Sequence, residues 1–307
     1  MRPAALTVAL FCGCSQASPA PSDAGPIAVT QKISIGPVDL AAGEEKTVCI
    51  VLPLGNAEDL VVNGMDVTLA QGSHHLIVYQ TTAAATAVPY PCAPFTGIAI
   101  GTDTPMVFAN KEKSSWTFPS GIAQEVLAGA MVKIEAHYIN TSASPIMGRG
   151  DVTFRATRKA SAPPYQAADF TFWGTMNISA APHSTATTGK QFQVGIAGTH
   201  LIAITTHQHR LGTGVRVWES TAQGQLGPQI ANDLNWSDPA WSPLAPAYDF
   251  NGTNGLSYEC DWNNTTDQSV SFGESAKDEM CFIGGYYYPA QGLDLCIDHT
   301  CKNRAPK

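Results

Sequence analysis

The stretch "TTHQHRLG", Thr205 to Gly212, closes the apolar run "HLIAITT" and sets His207 and His209 two residues apart. Side chains two apart on a strand share a face, with Cβ atoms roughly 7 Å apart, so two imidazoles at this spacing can grip one metal ion. Gln208 then points away. A polar turn also produces H-x-H, so the pair by itself decides nothing. Two further motifs lie upstream: "GSHHLIVYQ" holds His74 and His75, and "IEAHYINTS" holds His137 at the end of a strand-like segment. Adjacent strand residues face opposite ways, so His74 and His75 share an ion only where a bulge or strand end turns one of them. Without that turn they suit a polar strand entry, and His137 suits a hydrogen-bonded histidine beside Tyr138.

Downstream, "GESAKDEMCFIGGYYYP" places Met280 between the acidic pair Asp278–Glu279 and Cys281 rather than in an apolar stripe. Methionine usually fills cores. Here a cysteine bridge at Cys281 would fix the backbone beside it, which makes a ligand role plausible. A thioether beside two imidazoles favours Cu(I), whereas three imidazoles without sulfur suit copper that cycles between two oxidation states. Asp278 and Glu279 fit either a turn cap or carboxylates that orient metal ligands.

These residues must be positioned by strands. The apolar runs are short and rich in Val, Ile, Thr, Phe and Tyr, as in "KTVCIVLP", "MVKIEAHYI", "FTFWGTMNIS" and "TGVRVWES", and Gly, Pro, Asn and Asp punctuate them at hairpin intervals. The pattern predicts an all-β protein of sandwich domains. Only "NAEDLVVNG" and "SGIAQEVLAG" carry a helical period, and both are brief. A segment with two consecutive prolines, "RKASAPPYQAAD", marks a domain boundary, giving units at 28–160 and 161–307. Six Asn-x-Ser/Thr triplets begin at Asn140, Asn177, Asn235, Asn251, Asn263 and Asn264 and read as turn chemistry.

The chain has 307 residues, 44% hydrophobic and 14% charged, with net charge −8 and no basic run that could track phosphates. Nucleic acid is not an expected partner. Residues 1–27 read as an export signal and tether, cleaved either before Cys14, which would then carry a lipid anchor, or after Ala17. The expected location is periplasmic, cell-surface or secreted. Cys49, Cys92, Cys260, Cys281, Cys296 and Cys301 remain, an even number suited to three disulfides in an oxidising compartment, and none forms the C-x-x-C pair of a zinc site.

Together, "SHH", the lone "HY", "H-x-H-x-LG" and "DEMC…YYP" resemble, in order and separation, the copper type II, ascorbate-dependent monooxygenases, which include peptidylglycine α-hydroxylating and dopamine β-monooxygenases. The resemblance runs from about residue 30 to Cys296. It implies two tandem jelly-roll-like β-sandwiches, each with one copper, facing each other across a solvent-filled cleft. His74, His75 and His137 would form the electron-transfer site, and His207, His209 and Met280 the site that activates O2 to hydroxylate a C–H bond. Ascorbate or another one-electron donor would refill the metal. The resemblance also implies Cys49–Cys92 and Cys260–Cys281 bridges. The family's usual partner of Cys296 has no counterpart here, which leaves Cys301 and a small local loop.

On the substrate side the sequence departs from the resemblance. Peptide-amidating members hold a peptide carboxylate with an Arg, an Asn and a Tyr where this chain has Thr205, Phe282 and Gly284. Without the charge-assisted arginine pair, glycine-extended peptides are poor candidates. Phe282 and "GGYYY" point to an apolar or aromatic approach. His200 is expected to be buried and hydrogen-bonded, and His183 and His299 to be solvated. Another reading keeps the ligands without a substrate pocket, as a copper-binding or copper-storage protein.

Overall fold

The structure is a computed structural model and describes residues 25–95, 103–222 and 225–302. The expected export signal, including Cys14 and Ala17, lies outside them, apart from its last three residues. Every element among the described residues is a strand except a 3-10 turn at Lys159–Ser161, and no helix is long and apolar enough to cross a membrane. The two segments read as helical are strands. Leu60–Leu69 and Ile122–Val126 pair antiparallel at Leu60–Val126, Val61–Glu125 and Val62–Gln124. Neither segment is long enough for helical propensity to outweigh pairing into a buried sheet.

Two antiparallel sandwiches follow in sequence. In the first, one sheet runs in the order Ala28–Leu40, Ile146–Arg158, Leu60–Leu69, Ile122–Val126, Gln166–Ala167. Its partner runs Tyr90–Pro91, Glu45–Pro53, Met131–Ile139, Ser73–Thr81, Thr104–Ala109. The short strand Gln166–Ala167 joins this first sandwich in parallel, so its sheet reaches past the two prolines. In the second sandwich one sheet is built on Thr199–His207, Cys281–Tyr288 and Asp169–Thr175, and the other on Gly212–Ala222 and Gly255–Asn264.

Burial explains how the halves sit together. Ile146–Arg158 alternates between solvent and core, as a sheet wet on one face should. Cys281–Tyr288 is buried on both faces up to Tyr287. Its Cys281 and Ile283 face the second sandwich's own core with Trp173, Leu201 and Ile204. Phe282 and Tyr286 face outward and join Phe170 and Phe172 in one continuous core with the first sandwich. Tyr286 packs on Trp116 of the first half and Trp241 of the second, at ring-centroid distances of 5.7 and 4.7 Å, the two indoles lie 5.7 Å from each other, and the Tyr286 hydroxyl donates to the Met106 carbonyl. The run "GGYYY" is therefore an interface strand.

Cys49–Cys92, Cys260–Cys281 and Cys296–Cys301 are bonded, as expected. At Asn140, Asn235, Asn251 and Asn264 the side-chain oxygen accepts the backbone N–H two residues on, the turn chemistry expected of these triplets.

Candidate metal centre

His74 and His75 enter on Ser73–Thr81, which pairs with Met131–Ile139. Ser73 lies opposite Tyr138 and His75 opposite His137, so the register slips by one residue at His74. This irregularity lets two adjacent histidines turn to the same side. Their rings lie 5.3 Å apart, and the His137 ring lies 5.3 Å from His74 and 5.1 Å from His75.

His207 is the last residue of its strand, and His209 lies beyond the strand end. Strand alternation therefore does not place His209. Glu279 does: its fully buried carboxylate accepts the His209 N–H at 3.1 Å, the Leu211 N–H at 2.8 Å and the Trp262 indole N–H at 2.8 Å. His209 Nδ1 donates to the Asp278 carbonyl at 3.0 Å, which leaves Nε2 as the lone-pair nitrogen. The Asp278–Glu279 pair thus fixes the histidine seventy residues upstream, and its rings close to 5.3 Å between His207 and His209. Gln208 points away and donates to the Asp261 carbonyl.

The two sets are not separated by a solvent-filled cleft. His74 lies 5.2 Å from His207 and 5.5 Å from His209, and His75 lies 5.4 Å from His207. All five rings are buried. Two groups place ligand atoms within 4.8 Å of one another, His74–His75–His137 and His74–His207–His209, so His74 is common to both. The cause of closure is the apolar interface. Phe95 and Phe108 of the first half pack against both His75 and His207, and Phe172 and Phe282 of the second half stack at 4.9 Å beside Phe95.

Seven imidazole nitrogens in this cluster are buried with no hydrogen-bond partner: His74 Nε2, both nitrogens of His75, His137 Nδ1, both nitrogens of His207, and His209 Nε2. Buried polar atoms are normally satisfied, and each orphan costs about 1–3 kcal/mol. Five converging, lone-pair-bearing rings fit a metal that takes nitrogen ligands, copper among them. Burial is the first cause holding His74, His75 and His207 well below the ordinary imidazole pKa and His209 down to about 4. These are the neutral forms that bind metal.

Two carboxylates that the sequence reading missed complete the site. Glu135 is fully buried two residues before His137. It accepts the Phe95 N–H at 2.7 Å and the Tyr79 hydroxyl at 3.1 Å, and burial pushes its pKa up to about 7. It approaches His75 Nε2 at 3.6 Å, but because His75 is held neutral this is not an ion pair. A charged residue inside "MVKIEAHYI", on the same face as His137, was the available signal. Glu45 accepts a hydrogen bond from His137 Nε2 and is held at about pKa 2, chiefly by that bond. Nothing in its local sequence distinguishes it.

Met280, 1% exposed, lines a cavity of about 450 Å³ with Phe95, Phe272, Phe282, Leu295 and Ile297, and with Glu274 and Lys302 among its polar members. Gly174 permits this packing: a Cβ there would lie 1.9 Å from the Phe282 ring. Thr205 and Gly284 are neighbours across the sheet, and neither offers a cation for a carboxylate. His200 stays outside the cluster, partly buried, bonded to Asp249 and stacked on Tyr288. His183, on Asp267, and His299 are exposed, as expected.

Fold and cluster together define an all-β protein of two sandwiches with a buried polyhistidine cluster that could hold a metal ion. Residues 176–306 match the C-terminal domain of the copper type II ascorbate-dependent monooxygenases. The match takes in His207, His209 and Met280. No curated protein matches the chain. Among solved structures, the chain is similar to one from broad bean stain virus, at 10% identity over 93% of this chain and 97% of that one, with a TM-score of 0.29. It is also similar to one from the Gx strain of infectious bursal disease virus, at 9% identity over 88% and 73%, with a TM-score of 0.16.

Proposed function

We propose that the protein is an exported copper monooxygenase that hydroxylates a C–H bond of an apolar organic substrate, with O2 and ascorbate or a similar one-electron donor. The observation that carries this reading is the set of seven orphaned imidazole nitrogens at the junction of the two sandwiches, beside a cavity with a thioether in its wall. His74, His75 and His137 would hold one copper, and His207, His209 and Met280 a second, with His74 reachable from both groups. Bound copper would supply one-electron redox chemistry and O2 activation.

The protein's own contribution is orientation and exclusion of water. Glu279 and the Asp278 carbonyl fix the ring of His209, and Glu45 fixes the tautomer of His137, leaving Nδ1 for metal. Phe95 and Phe108 cover the His75 and His207 side of the cluster, while His74 lines a cavity of about 120 Å³ beside Trp236. The cavity beside Met280, with its aromatic and aliphatic lining, suits an apolar carbon skeleton rather than a peptide carboxylate.

Copper titration of the metal-free protein tests the assignment. Two ions per chain are expected, with His75→Ala and His207→Ala each removing one. Failure to bind copper tightly would end this reading. Tight binding of two ions, with ascorbate oxidised at a rate no organic substrate alters, would instead favour copper storage.

A further inference from the structure

A second cavity, of about 260 Å³, lies between the sandwiches, with Asn110, Lys111 and Ser114 on the first side and Thr205 and Trp241 on the second. Its chemistry differs from that of the cavity at Met280. Thr205 is 1% exposed and Asn110 8% exposed, yet Thr205 Oγ1 and Asn110 Oδ1 have no hydrogen-bond partner. Two buried, unsatisfied polar atoms, one from each side, mark a place where a ligand or ordered water completes the bonding. Among the described residues the only cation lining it is Lys111, whose ammonium pairs with the exposed Asp238 at 3.0 Å and is available to an anionic ligand. The remaining lining is the hydroxyls of Ser114 and Ser115 and the apolar Ala109, Pro239, Ala240 and Trp241, and the volume equals about nine waters. Such a mixed lining, with one ammonium, suits a small, flat molecule that carries several hydroxyls and a single negative charge, and it is too small for an extended peptide.

The position is also informative. Thr205 is two residues before His207 on the same strand, on its face of the sheet. Asn110 follows the segment of Phe108, whose ring packs on His75 at 6.0 Å and His207 at 5.8 Å, and whose carbonyl accepts the Trp241 indole N–H. The cavity is therefore lined, from both halves of the chain, by residues one or two positions from His207 and from Phe108, which packs on the cluster.

We propose that this cavity binds the reductant, an ene-diol lactone of the ascorbate class, against Thr205 and Asn110, apart from the C–H substrate at Met280. The assignment of an electron donor rests on the copper reading above. Each bound ene-diol would give up one electron and one proton and leave as its radical, the electron passing to Cu(II) held by the histidine cluster, which becomes Cu(I), and the proton to solvent. Two such events supply the two electrons, and solvent returns the two protons, consumed when O2 and a C–H bond become C–OH and water.

The test compares wild type with Thr205→Val and Asn110→Ser. Ascorbate binding to the metal-free protein is measured anaerobically by saturation-transfer NMR. Reduction of the Cu(II)-loaded protein is followed by stopped flow with ascorbate and, separately, with hexaammineruthenium(II), which carries no hydroxyls. The expected result is a Kd for ascorbate raised about tenfold in each variant, as loss of one buried hydrogen bond implies. Reduction by ascorbate should slow in parallel, with copper content and reduction by ruthenium unchanged. Equal ascorbate binding in all three proteins overturns the proposal. So does an equal slowing with both reductants, which would assign the two residues to the fold. The metal-free binding measurement decides the site even if the protein proves to hold no copper.

Discussion

Glu45 Oε1 lies 2.9 Å from His137 Nε2, and the same carboxylate accepts the Ala276 N–H at 2.7 Å and the Ser275 hydroxyl at 3.1 Å. One side chain at the start of a first-domain strand thus holds a histidine of its own domain and the loop that leads to Met280 in the other. Outer-shell partners of this kind are worth about 10–100-fold in metal affinity. Glu45→Ala is expected to weaken copper binding at the three-histidine group by that factor and to speed amide exchange at residues 275–280. Unchanged exchange in that loop would mean that Glu45 does not couple the domains.

Acid should loosen the metal-free protein. His209 has a folded pKa of about 4 against about 6.5 unfolded, so the native state binds fewer protons. Its stabilising contribution is complete above about pH 6.5 and is lost as pH falls toward 4, about 2 kcal/mol by pH 5. His74, His75 and His207 are shifted in the same direction. Glu135, raised to about 7, works oppositely, stabilising below about pH 4.5 and losing that contribution as pH rises through 7. Burial also raises Glu279, Asp169, Glu219 and Glu274, and the four histidines, shifted the other way through the range from pH 6.5 to 5, set the net direction. Urea midpoints should therefore fall from pH 7.5 to pH 5, and a flat or rising profile would contradict the buried neutral cluster.

Met280→Ile keeps the bulk of the side chain and removes the sulfur. X-ray absorption of the Cu(I) protein should lose its sulfur shell, hydroxylation should drop to background, and copper at His74, His75 and His137 should stay. Retention of the sulfur shell would remove Met280 from the ligand set.

Gly174→Ala tests the packing under the proposed substrate cavity. The added methyl would collide with the Phe282 ring and the Cys281 carbonyl, so stability should fall by about 1–3 kcal/mol. The melting temperature should drop by several degrees. Substrate preference should change with it, since Phe282 lines the cavity. A variant with wild-type melting would show that Phe282 does not pack on Gly174.

The sequence carried the fold through strand composition and turn punctuation. It also carried the histidines through their spacing, because adjacency at His74–His75 already required the register slip that the sheet shows. Two short segments misled because a helical period over nine or ten residues also accommodates a strand. Glu45 and the closure of the domains were not legible. Each depends on contacts between residues more than sixty positions apart, and an outward-facing Phe282 or Tyr286 reads the same on a strand whether it meets solvent, substrate or another domain.

The most direct test of the central claim is isotopic. The copper-loaded protein is supplied with 18O2, ascorbate and a panel of apolar aromatic and aliphatic compounds, and the products are weighed by mass spectrometry. The account predicts one 18O atom in the hydroxylated product, with two ascorbate molecules each oxidised by one electron per turnover. Ascorbate oxidation with no 18O in any organic product, across the panel, would contradict it.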